Sequence, residues 1–171
     1  MGTYYHAANT DTRTPVGRMF CNNIGLSNGY MTSESFIRLA GTRMRDNGSK
    51  SPYELFGGNK QKEAVFEHVR AHDYSFRPPR LGALFLFDNR ETADRCNEKW
   101  WQGKSTILEA EIVEGNFARF DAKYLDCSRV DWMRYATLYW IGEQTKDPII
   151  EVVVQGTIRL QGYEPYYKKF T

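Results

Sequence analysis

The chain has 171 residues, of which 41% are hydrophobic and 15% aromatic, and 23 Lys and Arg against 21 Asp and Glu leave a net charge of +2. A chain of this size buries about two-thirds of the surface its unfolded form exposes, so residues 1–171 read as one folded domain and disorder is excluded. The small positive charge permits an anionic ligand without demanding one, and a dedicated nucleic-acid binder would carry a denser basic patch.

Tyr4-Tyr5-His6-Ala7 reads as a short aromatic strand that breaks into the polar turn-forming stretch Asn9 to Pro15, which puts His6 near a strand-to-loop junction. Beyond the Gly- and Asn-rich residues 22–30, Thr32 or Ser33 can cap a helix with Phe36, Ile37, Ala40 and Met44 at helical spacing, ending near Asn47-Gly48. A polar loop leads to a second helix from about Lys60 to Ala71, with Ala64, Val65, His68 and Val69 along one side. Pro78-Pro79-Arg80 then introduces the apolar run Leu81 to Phe87, a buried strand, and Asp88 or Asn89 caps a helix from Arg90 to about Trp101. Strands are expected from Thr106 to Val113, Phe117 to Asp121, Thr137 to Ile141 and Ile149 to Gln155, with Thr157 to Leu160 following a bend at Gly156. Helices early and strands late indicate an α+β fold.

The three cysteines, Cys21, Cys96 and Cys127, lack zinc-ligand spacing, so no metal and no disulfide framework is expected. The start shows no basic, apolar leader and no apolar run reaches the ~18 residues of a membrane span, so the expected location is the cytoplasm, with no membrane partner.

Glu151 stands out in Ile149-Ile150-Glu151-Val152-Val153-Val154, an apolar β-branched run. An ionised side chain in such a strand is stable only when paired, hydrated or turned into a cleft. Alternation places Ile149, Glu151 and Val153 on one face and Ile150, Val152 and Val154 on the other. Either Glu151 looks into a pocket or the strand is an edge and the carboxylate faces water.

Three segments, in order, carry a family resemblance: Tyr5-His6, Gly82-Ala83-Leu84-Phe85-Leu86-Phe87 with Ala93, and Pro148 to Leu160 with Glu151 and Gly156. They resemble the ADP-ribosyltransferase superfamily, in its diphtheria-toxin-like branch of first-strand His, strand aromatic and late-strand Glu. Both ends are also similar to rifamycin-modifying transferases and DNA-modifying transferase toxins. As a whole the chain most resembles an uncharacterised family from bacteria and phages.

The resemblance implies a split antiparallel β-sheet core with a few flanking helices, and NAD as substrate. His6 would bond a ribose hydroxyl, as a neutral imidazole can. Phe85, with Leu84 after a one-residue slip as the alternative, would line the nicotinamide site beside the first-strand Tyr5. Arg13, Arg18 and Arg80 would be the candidates for the pyrophosphate, which guanidinium binds bidentately. Glu151 would be catalytic, with His6, because cleaving the N-glycosidic bond builds positive charge on the ribose. The family's second aromatic falls near Arg95, and Ile149 stands where an arginine-modifying enzyme would carry Glu or Gln.

The implied activity is mono-ADP-ribosyl transfer to a protein or nucleic-acid acceptor, in the setting of a phage or bacterial toxin. With water as acceptor the same site would be an NAD glycohydrolase, and without activity the fold would serve as an interaction or inhibitor module. An RNA 2′-phosphotransferase would need a cluster of Arg and His residues, of which only one His matches. Glu109 and Glu111 read as a solvated strand face, Gly57-Gly58 lacks the rest of a phosphate-binding loop, and Trp100-Trp101 and the aromatic tail from Tyr163 receive no role.

Overall fold

A computed structural model describes residues 2–8, 10, 11, 13, 29–34 and 59–162. It contains five strands, β1 (Tyr4–Ala8), β2 (Tyr30–Thr32), β3 (Leu84–Phe87), β4 (Thr106–Asp121) and β5 (Ile150–Leu160), and three helices, α1 (Lys60–Asp73), α2 (Arg90–Trp101) and α3 (Trp132–Ile141). All pairings are antiparallel, in the order β2-β5-β3-β1-β4, and β4 also pairs with β5. The result is a mixed α/β architecture consistent with the expected α+β class. The helix expected from residue 33 to residue 48 lies outside the described residues beyond Glu34, as do Arg18, Gly57-Gly58 and the tail.

β5 organises the sheet. One of its edges follows β4 from Asp121↔Ile150 to Ala110↔Leu160, and its other edge takes β3 and then β2. The amino-terminal part of β4 continues against β1, whereas β1 and β3 share the single bridge Tyr5↔Phe87. β1, β4, β5 and β3 thus close a small ring with a thin seam between β1 and β3.

Alternation divides the apolar side chains between two faces. Tyr4, Ala8, Leu84, Leu86, Leu108, Ala110, Val152, Val154, Ile158 and Leu160 form one core with Met31 from β2. On the other face α1 and α3 cover Val153, Phe120 and Phe85 with Phe66, Val69, Ala136, Tyr139 and Trp140, while α2 covers Phe87 and Ile149 with Ala93 and Cys96. Burying each such large side chain contributes about 1.5–3 kcal/mol. Trp140 also donates its indole N–H to the Phe66 carbonyl at 2.7 Å, tying α3 to α1.

Two local expectations are corrected. Thr137 to Ile141 belongs to α3 and is not a strand: Trp132, Ala136, Tyr139 and Trp140 recur at helical spacing and are all buried, and Gly142 at φ 89 ends the helix. A short aromatic and β-branched run fits either period, and the buried stripe that starts at Trp132 decides it. Second, the breaks expected around residues 114–116 and at Gly156 are absent, and β4 and β5 run through. Gly115 and Gly156 face each other there, and a Cβ on Gly156 would lie 2.1 Å from the Glu114 carbonyl oxygen, so the close strand approach requires bare backbone.

No helix among the described residues is long and apolar enough to cross a membrane.

Candidate functional site

The cross-strand register shows which predicted residues meet. Tyr5 pairs with Phe87, Phe87 with Glu151, and Glu151 with Phe120, so these side chains share the helix-covered face. Phe85 pairs with Val153 on that same face. His6, one residue from Tyr5, points to the opposite face, opposite Leu108. The sheet therefore lies between the two predicted catalytic residues.

On the helix-covered face, Glu151 is 5% exposed and is paired rather than turned to water. The Tyr139 hydroxyl donates to Glu151 Oε1 at 2.6 Å, and Arg80 Nη1 donates to the same oxygen. Arg80 Nη1 also donates to the Tyr139 oxygen at 2.7 Å, and Nε and Nη2 reach the two Glu63 oxygens at 3.1 and 3.3 Å. The guanidinium lies over the rings of Phe85 and Tyr139, 5.0 and 5.3 Å from their centroids. Arg80 is 1% exposed, so one cation holds two buried carboxylates. Burial pushes the Glu151 carboxyl up, against the pull of Arg80 and the Tyr139 hydroxyl, and burial likewise holds the Tyr139 phenol well above its ordinary value. This cluster can hold a carboxylate in place and exclude water from it.

Next to it, Asp121 is fully buried and accepts from the Thr145 N–H and hydroxyl and from the Lys123 and Ile149 N–H groups. These bonds pin the loop that delivers Ile149 and Ile150 to β5.

On the other face, His6 occupies the seam between β1 and β3. Antiparallel continuation from Tyr5↔Phe87 would set Ala7 against Phe85, but the ladder stops and His6 Nδ1 donates to the Phe85 carbonyl at 2.9 Å. The imidazole thus stands in for a missing backbone donor. Because a carbonyl can only accept, this bond fixes the Nδ1–H tautomer and leaves the lone pair on Nε2. Burial lowers the His6 pKa, with the Phe85 carbonyl opposing it, so the ring is neutral at pH 7.

The other predicted ligands separate. Arg80 belongs to the Glu151 cluster. Arg13 lies on the exposed segment after β1, where Nε and Nη2 bond the Asp11 carboxylate at 2.9 and 3.0 Å. Tyr5 packs with Ala7 and Ile107 against Phe87 and Cys96 under α2.

Tyr139 and Glu63 had no place among the expected site residues. Tyr139 was hidden by the strand reading of Thr137 to Ile141. Glu63 was hidden by a rotated view of α1, whose buried face carries Glu63, Phe66 and Val69 rather than Ala64 and His68. A carboxylate at three-residue spacing from Phe66 on an apolar stripe is the signal that could have found it.

Residues 30–164 match the family described as "Protein of unknown function (DUF2441)", and the chain belongs to that family. No curated protein matches the sequence.

Proposed function

We propose that the chain is an NAD-dependent mono-ADP-ribosyltransferase of the ADP-ribosyltransferase-like fold, acting on a macromolecular acceptor in phage or bacterial conflict. The observation that supports this reading is His6 at the β1–β3 seam, a neutral imidazole in one tautomer with its acceptor nitrogen defined. An Nε2 lone pair is suited to a ribose hydroxyl, and a seam in a sheet is where a dinucleotide can approach backbone. In the reaction the bond between the ribose C1′ and the nicotinamide nitrogen breaks, and its electron pair leaves with nicotinamide. C1′ then bonds to an acceptor oxygen or nitrogen, which loses its proton.

Glu151 lies on the opposite face of the sheet from His6, so it fits the catalytic role in this reading only once the NAD bound at His6 reaches that face past the β1–β3 seam and its ribose replaces Arg80 and Tyr139, both of which now engage Oε1. That same engagement favours a second reading, a non-catalytic interaction module on this fold in which Glu151 is structural.

Incubation with adenylate-labelled NAD and lysate, following nicotinamide release and label transfer, separates the two. The transferase reading expects label on a protein or nucleic acid, lost on His6→Ala and reduced about 10²–10³-fold on Glu151→Gln, the usual effect of removing one group that stabilises transition-state charge. Nicotinamide with only free ADP-ribose would make it a glycohydrolase. No nicotinamide and no NAD binding by calorimetry would overturn the enzymatic reading in favour of the interaction module.

A further inference from the structure

The chain has three histidines, and two of them, His68 and His72, lie one turn apart on α1. Side chains four residues apart on a helix are neighbours, with Cβ atoms about 5–6 Å apart. Here the two rings face each other at an interplanar angle of 29°, centroids 6.3 Å apart. Metal–imidazole bonds of about 2.0–2.1 Å put two rings on one ion at a centroid separation of about 5 Å. Side-chain rotation on this helix covers the difference.

A second observation concerns Asp73. Its carboxylate accepts from His72 Nδ1 at 2.8 Å, which leaves Nε2 as the nitrogen that can ligate. A carboxylate behind the imidazole is the usual arrangement of metal-binding histidines, because it fixes the tautomer and raises the basicity of the ligand nitrogen. The His72 side chain is 76% exposed, so an ion has direct access. The nearest cation on the helix, Arg70, is neutralised by Glu67 through bonds of 2.9 and 2.7 Å.

The geometry points to a two-histidine site for a borderline divalent transition metal on α1, with His68 and His72 as ligands, Asp73 orienting His72, and water completing the shell. Two imidazoles without thiolate or further carboxylate ligands select Cu²⁺, Ni²⁺ or Zn²⁺ over Mg²⁺ or Ca²⁺, with Cu²⁺ held most tightly. The site is independent of the NAD reading. An ion there would staple the last turns of α1, the helix whose buried face supplies Glu63 to Arg80.

The test is a titration of the untagged protein with Zn²⁺ and with Cu²⁺ at pH 8. Histidine ring signals are followed by NMR, with His6 as the internal reference. The proposal expects the His68 and His72 signals to respond together at one equivalent, with His6 unmoved. His68→Ala should weaken the response at His72 at least ~10-fold and Asp73→Asn about 10-fold, in line with loss of a ligand and of an outer partner. Both substitutions lie outside the buried core, and far-ultraviolet circular dichroism verifies that the variants stay folded. Unchanged affinity at His72 in His68→Ala, or no joint response in the parent protein, overturns it.

Discussion

The two faces of the sheet treat their polar groups differently. On the helix-covered face a carboxylate is deeply buried, and the structure supplies an arginine, a tyrosine hydroxyl and a second carboxylate around it. At the seam the neutral His6 imidazole donates to the Phe85 backbone carbonyl. A buried ion pair is closed to change, because removing either partner leaves a charge without compensation. A neutral imidazole carries no such obligation and can exchange partners cheaply. The residue that looked most unusual in the sequence, Glu151, therefore sits in the more constrained environment, and His6 in the more adaptable one.

The largest effect should come from breaking the constrained side. Arg80→Met leaves Glu63 and Glu151 buried without their cation and should cost about 3–5 kcal/mol in urea unfolding. Adding Glu63→Gln and Glu151→Gln to it should restore part of that loss, because neutral amides need no counter-charge. If Arg80→Met alone were neutral, the cluster would not be the anchor described here.

A smaller effect sharpens the same point. Tyr139→Phe removes the hydroxyl that donates to Glu151 and accepts from Arg80, and should cost about 1–3 kcal/mol while leaving the ring stacked on Phe120 at 4.5 Å. A loss matching that of Arg80→Met would mean that the hydroxyl, and not the cation, holds the carboxylate.

The smallest effect is expected at the seam, and it depends on pH. The folded protein lowers the His6 pKa, so below its unfolded value of about 6.5 the unfolded chain binds more protons and stability falls as the pH drops. The contribution is fully present above that value and is lost as pH falls through the lowered folded-state value. His6→Gln should flatten this part of the curve, measured as melting temperature against pH. An unchanged slope would place the acid sensitivity elsewhere.

Much of this fold was legible because its signals are local. Asn89 caps α2 with a 2.7 Å bond to Thr92 N, Leu84 to Phe87 is the buried strand its apolar run implied, and the alternation around Glu151 correctly divides Ile149 and Val153 from Val152 and Val154. What failed was period and rotation. Thr137 to Ile141 satisfies strand and helix patterns alike, and the apolar side expected for α1, Ala64, Val65, His68 and Val69, is rotated from the buried face of Glu63, Phe66 and Val69. Both errors hid members of the Glu151 cluster, which is why the sequence left a pocket and a water-facing edge open and did not show the pairing. The separation of His6 from Glu151 depends on the Tyr5↔Phe87 bridge, a long-range register that residue order does not encode locally.

His6 is held neutral with Nδ1–H on the Phe85 carbonyl, and in the proposed transferase its Nε2 accepts from the ribose of NAD. The most direct measurement is ¹⁵N NMR of the histidine rings during titration with NAD. His6 should be in the Nδ1–H form at pH 7, with its Nε2 resonance moving on NAD addition while those of His68 and His72 stay in place. A protonated or Nε2–H His6, or an Nε2 signal that ignores NAD at millimolar concentration, would contradict it.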